Sequence, residues 1–179
     1  MKTYFKKLDF ILPPIDMSRI VNGQVIEVYG EEYRAYEIAD KLYFREQYSK
    51  KIQFKQQPDS IHYARIEHSG AFPHVDGART AINYYINTTN NLTFFWELKN
   101  NNHAPDTPPG DSLVVKYDTR QLRVASCFRA LPDEAYVLST NEIHSVGRSQ
   151  IAATRELFRW IWHDLTIDEV LENIILIND

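Results

Sequence analysis

A histidine and an aspartate two residues apart, His74 and Asp76 in FPHVDG, have side chains that could bind a metal ion. From the end of a strand and the turn after it, an imidazole and a carboxylate at this spacing can reach the same ion. Gly77, which follows, lets the chain turn there. An H-x-D pair is common by chance, so taken alone it favours a loop histidine and a turn aspartate.

A second histidine, His144, follows a predicted strand late in the β-rich part of the sequence. A jelly roll brings an early and a late strand side by side, so His144 would join His74 and Asp76 at one barrel mouth. Two imidazoles and one carboxylate on one face of an ion leave three positions open, which suits ferrous iron and oxygen chemistry. The three residues together predict a non-haem iron site and an oxygenase.

An arginine suited to a carboxylate, Arg155, lies eleven residues after His144 and begins the apolar run RELFRWIW. On a strand beside the metal motif its side chain can point into the same barrel, and its planar, permanently charged guanidinium matches a carboxylate. A surface arginine is the alternative interpretation. Arg148, four residues after His144, is a second candidate for this role, ranked lower because it falls in a loop.

The elements that must position these residues are short β-rich runs separated by turn residues. Apolar and polar alternation or β-branched and aromatic content predicts strands at 61–67, 80–87, 92–98, 113–117, 122–128 and 135–138. By periodicity alone, residues 155–162 fit a strand or a helix, and their aromatic and β-branched content favours a strand. Asn90-Asn91 suits a tight hairpin turn, and residues 100–111 (NNNHAPDTPPGD) are a predicted loop. Many short strands flanked by helices predict a mainly β fold, a double-stranded β-helix of the jelly-roll, cupin-like kind.

Helices are predicted on both sides of this β-rich region. Apolar residues in 31–49 recur at close to helical spacing, and Thr166 with Glu169 forms a capping box that begins a C-terminal helix. The chain, 1–179, is interpreted as one domain. Its predicted parts are an N-terminal helical or mixed segment packing on the barrel (1–59), a β-helix core (60–165) and a C-terminal helix (166–179).

Composition limits the classes of partner. The chain has 179 residues, 44% of them hydrophobic, and a formal net charge of −4 from 20 basic and 24 acidic residues. Nucleic-acid binding usually shows as a basic excess or stripe, so nucleic acid is not an expected partner. The single cysteine, Cys127, excludes an internal disulfide, and no stretch has the length of a signal-peptide core or a membrane span. We expect a cytoplasmic protein without membrane contact.

The order His74-x-Asp76, His144, Arg155 resembles the Fe(II)/2-oxoglutarate-dependent dioxygenases over about residues 61–165. HVDGARTAINYYINTTNNLTFFWE is similar to their first metal motif and the strands after it. NEIHSVGRSQIAATRELFRWIWHDLT is similar to the distal histidine, co-substrate arginine and closing strand of the aspartyl/asparaginyl β-hydroxylase group; the prolyl-hydroxylase-like group is the other near neighbour. The aspartyl/asparaginyl β-hydroxylase group often lacks the metal-binding carboxylate that is present here as Asp76. Two residues after the arginine, Leu157 stands where a serine is usual.

The resemblance implies an enzyme that hydroxylates an unactivated C–H bond with O2 and the co-substrate 2-oxoglutarate. Iron would be held by His74, Asp76 and His144. Arg155 would bind the far carboxylate of 2-oxoglutarate, while the keto acid end chelates the iron. The cofactor carries the oxidation, and the protein supplies position and excludes water.

Further contacts with the small molecules follow as weaker expectations. Asn83, Tyr85 and Thr93 lie on the two strands after the first motif, and inward-facing members could hydrogen-bond 2-oxoglutarate. Such side chains more often simply line or fill a barrel. Arg79 and Arg148 are candidates for contact with the substrate, with solvated turn or loop arginines as the alternative.

Two other classes of function remain open from the sequence. A cupin-like metalloprotein of different chemistry would not need Arg155. A non-catalytic jelly-roll binding protein would carry the histidines incidentally. No motif names the substrate, for which a peptidyl residue and a small molecule are both compatible, and none names the oligomeric state.

Overall fold

The structure is a computed structural model that describes residues 2–29, 33–67, 71–88, 92–99, 115–147 and 154–177. Within these ranges the strands are β1 (Phe5–Leu8), β2 (Val21–Tyr29), β3 (Tyr33–Ile38), β4 (Ile52–Phe54), β5 (Ser60–Glu67), β6 (Ala71–Val75), β7 (Thr80–Asn87), β8 (Leu92–Leu98), β9 (Val115–Lys116), β10 (Leu122–Arg129), β11 (Ala135–Ser139), β12 (His144–Val146), β13 (Thr154–Trp162) and β14 (Ile174–Leu176). The α-helices are α1 (Lys41–Tyr48) and α2 (Ile167–Asn173). In the described part of the chain, no helix is long and apolar enough to cross a membrane.

Most of the strands form two antiparallel sheets. The larger has the order β1-β11-β7-β13-β5-β3-β2 and the smaller the order β10-β8-β12-β6-β9, while β4 and β14 form a separate pair. Tyr85 and Leu157 of the larger sheet share a buried cluster with Phe95 of the smaller one, so the two sheets face each other. The fold is mainly β, and the predicted double-stranded β-helix is confirmed.

Strand β13 carries charged side chains into the space between the sheets. It lies between β7 and β5 in the larger sheet. Successive side chains of a strand point to opposite faces. Trp160 and Trp162 pack in a hydrophobic core on the outer face of the larger sheet, called the outer core below. Leu157 points the other way and packs in the cluster between the two sheets. Arg155 and Arg159 share the face of Leu157 by this alternation, so both project toward the smaller sheet.

The outer face of the larger sheet is covered by α1 and by the β4–β14 pair. Phe44 of α1 stacks on Trp160 with ring centroids 5.8 Å apart, and Phe54 of β4 meets Trp162 edge-on at 5.2 Å. Aromatic pairs of this kind add to the hydrophobic free energy gained by burial. The outer core therefore stabilises β13 from behind, which leaves its other face for the site.

Residues 31–49 do not form the single helix that their spacing predicts. Within the described residues, Tyr33–Ile38 is strand β3 and only Lys41–Tyr48 is helical. Tyr36 lies opposite Tyr63 of β5 with their rings 5.7 Å apart, so pairing with the sheet outweighs a weak helical periodicity. Asp40 accepts a hydrogen bond from the Tyr43 amide at 2.9 Å and begins the helix.

The hairpin predicted around Asn90-Asn91 is also wrong, because β7 and β8 belong to different sheets. The connection itself, residues 89–91, lies outside the described residues, as does the loop predicted at 100–111. In a jelly roll the chain crosses from one sheet to the other between consecutive strands. A short turn sequence cannot distinguish that crossing from a hairpin.

The C-terminal capping box is confirmed. The Thr166 hydroxyl accepts from the Glu169 amide at 3.3 Å, and the Glu169 carboxylate accepts from the Thr166 amide at 2.8 Å. The helix ends at Asn173 and does not extend to 179 as predicted, because Ile174–Leu176 pairs with β4 as β14.

Replacing Thr166 with Ala should lower the free energy of unfolding by about 1 kcal/mol, because the first turn of α2 loses its side-chain acceptor. Thr166→Ser keeps that acceptor and should remain close to the wild type. Urea unfolding of both variants measures the difference. Equal stabilities for the two variants would contradict a capping role.

Candidate metal centre

Two neighbouring strands of the smaller sheet bring the two histidines together. His144, the first residue of β12, lies directly opposite His74 of β6 in the antiparallel register. Asp76 follows β6 by one residue, and its amide donates to the Thr140 carbonyl at 2.9 Å. The predicted meeting of an early and a late strand therefore occurs, with the aspartate held beside both histidines by its main chain.

The ligand atoms of His74, Asp76 and His144 all lie within 4.8 Å of one another. His74 Nε2 is 3.2 Å from Asp76 Oδ1, and His144 Nε2 is 3.7 Å from Asp76 Oδ2. Ligands bound about 2.1 Å from one metal ion lie about 3 Å apart when they are neighbours. The three side chains thus have the donor set and nearly the spacing of a metal site.

A hydrogen bond from Nδ1 to a main-chain carbonyl fixes the orientation of each imidazole ring. His74 Nδ1 donates to the Phe72 carbonyl at 2.7 Å, and His144 Nδ1 donates to the Glu142 carbonyl at 2.8 Å. A carbonyl can only accept, so each neutral ring carries its proton on Nδ1 and presents the Nε2 lone pair to the cluster. This is the usual way in which outer hydrogen bonds orient histidine ligands.

A buried ion pair sets the electrostatics of the cluster. Arg159 of β13 pairs with Asp76 Oδ2, and both side chains are 14% exposed. Burial would raise the pKa of Asp76, but the charges of Arg159 and His144 and the hydrogen bond from His74 hold it well below its usual value. The aspartate is therefore a carboxylate, as a metal ligand must be.

The two histidines differ in their affinity for a proton. Burial, and then the positive charge of His74, lower the pKa of His144 to about 4. Burial also acts to lower the pKa of His74, but its hydrogen bond to Asp76 and the charge of Asp76 outweigh that effect and raise it. His144 is thus a neutral donor at neutral pH, whereas a metal ion would displace the proton that His74 shares with Asp76.

Arg155 lies within the fold, with only 3% of its surface exposed. Its Nη2 donates to the Thr93 hydroxyl of β8 at 3.1 Å, and its guanidinium carbon sits 4.4 Å from the ring centre of Tyr85. Arg155 Nε and Nη1 are buried without a hydrogen-bond partner. Among the described residues, no carboxylate pairs with this cation, so it has two free donors and an uncompensated charge.

The residues predicted to accompany Arg155 are near it in the structure. Thr93 and Tyr85 contact it directly. Asn83 Nδ2 donates to the Tyr85 hydroxyl at 3.4 Å, and Asn83 Oδ1 is buried without a partner. These three side chains line the space between the sheets, and their roles in binding a co-substrate remain a prediction.

The two weaker substrate candidates differ in what the structure describes. Arg79 is exposed, and its guanidinium donates to the Asp164 carbonyl at 3.1 Å. It holds the end of β13 to the turn after Asp76, and contact with a substrate remains a prediction. Arg148 lies outside the described residues.

The residue that the sequence interpretation missed is Arg159. The signal was available, because Arg155 and Arg159 are four residues apart on one strand and must share a face. If Arg155 points inward, so does Arg159. The structure places Arg159 on the metal-ligand candidate Asp76 rather than in solvent.

Comparison with known proteins found no matching family model and no matching curated protein. Similar solved structures include hazelnut (Corylus avellana) vicilin, 14% identical over 78% of this chain and 31% of that chain, with a TM-score of 0.38. E. coli YcfD is 13% identical over 94% of this chain and 52% of that chain, with a TM-score of 0.49. HygX from Streptomyces hygroscopicus, solved with nickel and 2-oxoglutarate bound, is 10% identical over 84% of this chain and 76% of that chain, with a TM-score of 0.44.

The chain spans about a third of the vicilin chain and about half of the YcfD chain that it matches. These likenesses concern the fold alone. The function of this chain has to be inferred from the geometry of its own site.

Proposed function

We propose that this protein is an Fe(II)- and 2-oxoglutarate-dependent dioxygenase that hydroxylates a C–H bond of a peptidyl or small-molecule substrate. One observation carries the proposal. A cluster of two histidines and one aspartate lies in a jelly roll that also contains a buried arginine with free donors and no carboxylate partner among the described residues. The first feature suits iron, and the second suits a dicarboxylate.

The metal would be held by His74 Nε2, His144 Nε2 and Asp76. Their donor types fit a divalent first-row ion, and the fixed Nδ1 protons aim both lone pairs at the same place. When bound, iron would supply oxygen activation: substrate C–H, 2-oxoglutarate and O2 become substrate C–OH, succinate and carbon dioxide. The protein would position the reactants and exclude water.

Arg155 supports an anionic co-substrate on energetic grounds. Burying a cation is costly unless an anion and hydrogen bonds compensate it. Thr93 and the face of Tyr85 compensate only partly, since neither carries a negative charge. The far carboxylate of 2-oxoglutarate would supply both the charge and the acceptors for Nε and Nη1.

A non-catalytic jelly-roll binding protein is the second candidate, and Arg159 is the observation that favours it. This arginine neutralises Asp76 without any metal. In such a protein the histidine pair would be structural. Metal binding separates the two candidates, because only the dioxygenase needs it.

The test is a pair of calorimetric titrations on protein freed of metal by chelation. Ni²⁺, a redox-inert stand-in for iron, should bind at a single site, and 2-oxoglutarate should bind tightly only after Ni²⁺. Succinate release is then measured with Fe(II), O2 and panels of peptides and small molecules. Absence of metal binding, or equal 2-oxoglutarate binding with and without metal, would overturn the proposal.

A further inference from the structure

We infer that Arg159 is a positioning residue that keeps one carboxylate oxygen of Asp76 away from the metal, so that the coordination positions needed by 2-oxoglutarate stay open. The inference rests on the proposed function. It concerns the second arginine of β13, which the metal and co-substrate assignments leave without a role.

The two oxygens of Asp76 have different neighbours. Oδ1 lies 3.2 Å from His74 Nε2, on the side where the imidazole lone pairs converge. Oδ2 is bound by Arg159 Nη2 and lies farther from an imidazole nitrogen, 3.7 Å from His144 Nε2. A charge-assisted hydrogen bond of this kind is about twice as strong as a neutral one. Arg159 therefore holds Oδ2 as its own partner and leaves Oδ1 as the donor available to a metal.

Strand pairing fixes the place of Arg159. It lies between His62 of β5 and Asn83 of β7 in the larger sheet. Its side chain also interacts with Tyr33 of β3. Burial, and then the charge of Arg159, lower the pKa of His62 to about 4, so this neighbour is neutral at neutral pH. Among the described residues, Asp76 is the only acidic side chain that forms an ion pair with Arg159.

The charge of Arg159 has a second consequence. Asp76 and Arg159 together carry no net charge, so a divalent ion bound by Asp76 and two neutral histidines keeps its full attraction for an anion. The keto acid end of 2-oxoglutarate is such an anion. Arg159 thus weakens the binding of the metal alone and strengthens the later binding of the co-substrate to the metal.

Replacing Arg159 should therefore change the affinity for Ni²⁺ and the affinity for 2-oxoglutarate in opposite directions. In Arg159→Met, Asp76 is free to offer both oxygens, and a cation is removed from the neighbourhood of the metal. We expect Ni²⁺ to bind at least about tenfold more tightly, and 2-oxoglutarate to bind the Ni²⁺-loaded protein at least about tenfold more weakly. A merely structural role for Arg159 would weaken both.

The experiment is calorimetry with Ni²⁺ and then 2-oxoglutarate on full-length wild type, Arg159→Met, Arg159→Lys and the control Arg155→Met. The control should lose 2-oxoglutarate affinity and leave the Ni²⁺ affinity unchanged. Arg159→Lys, which keeps the charge with a single donor group, should lie between wild type and Arg159→Met in both affinities. It also decides the question if Arg159→Met does not fold, because wild-type values for both ligands would then overturn the inference.

The outcomes separate the inference from the function on which it rests. If wild type binds no Ni²⁺, the proposed function fails and the inference fails with it. If wild type binds Ni²⁺ and 2-oxoglutarate but Arg159→Met changes neither affinity, or weakens both, only the inference is overturned. Melting temperatures with and without Ni²⁺ verify folding; the rise on adding Ni²⁺ should be larger for Arg159→Met than for wild type.

Discussion

His144→Ala should weaken Ni²⁺ binding by more than about 100-fold and abolish succinate formation, since even the outer partners of metal ligands cost about 10–100-fold when they are removed. His144 supplies one of the three donors of the cluster, and its Nδ1 is already fixed by the Glu142 carbonyl. Among the described residues, His74 is the only other histidine in the cluster. Calorimetry with Ni²⁺ measures the loss of affinity, and a succinate assay with Fe(II) measures the loss of turnover.

His163→Ala is the matched control. His163 follows β13, lies partly buried and stands outside the cluster, so its replacement should leave the Ni²⁺ affinity unchanged. Circular dichroism verifies that both variants fold. Near-wild-type Ni²⁺ binding by folded His144→Ala would refute the metal site, as would an equal loss in the two variants.

Local patterns were enough to predict most of the strands. The predicted strands at 80–87 and 92–98 coincide with β7 and β8. Both have β-branched and aromatic interiors bounded by turn residues, so the preference of each segment agrees with its place in the fold. The strand predicted at 155–162 corresponds to β13, where Trp160 and Trp162 share a face as their spacing requires.

The geometry of the site could be predicted only through the fold. His74 and His144 are 70 residues apart in sequence, and nothing local pairs them. They meet because β6 and β12 are neighbours in the smaller sheet, which is a consequence of the jelly-roll topology. The ion pair between Asp76 and Arg159 joins opposite sheets, so it depends on how the sheets pack against each other. Periodicity places Arg159 on the inner face but cannot name its partner.

The helix prediction for residues 31–49 failed because their pattern of aromatic residues does not distinguish a helix from a strand. Aromatic side chains at close to helical spacing can also fit the two faces of a strand. Whether Tyr33–Ile38 is helical depends on whether an unpaired edge of β5 is available, and that is a property of the assembled sheet. Only from Lys41, after the Asp40 cap, does local sequence decide in favour of a helix.

Arg155→Met should weaken 2-oxoglutarate binding to the Ni²⁺-loaded protein by about 30-fold or more, because truncating one partner of a buried, hydrogen-bonded charge pair costs about 2–5 kcal/mol. The Ni²⁺ affinity should stay at the wild-type value, since the Arg155 guanidinium contacts Thr93 and Tyr85 rather than the metal-ligand candidates. Calorimetry with each ligand in turn measures both. Arg123→Met, which removes a surface arginine paired with Glu97, should change neither.

The melting temperature of Arg155→Met tests whether the buried charge of Arg155 is there to bind 2-oxoglutarate. Without 2-oxoglutarate, Arg155 is a buried cation with two unpartnered donors, so replacing it with an apolar side chain should leave the melting temperature unchanged or raise it. With Ni²⁺ and saturating 2-oxoglutarate, the wild type should instead have the higher melting temperature, because only the wild type gains the binding energy of the co-substrate.

A structural arginine would behave differently: its loss would lower the melting temperature under both conditions. That result, with unaltered 2-oxoglutarate binding, would remove Arg155 from the site. A buried charge that lowers stability until an anion arrives is expected for a binding residue, since packing alone would favour an apolar side chain at this position.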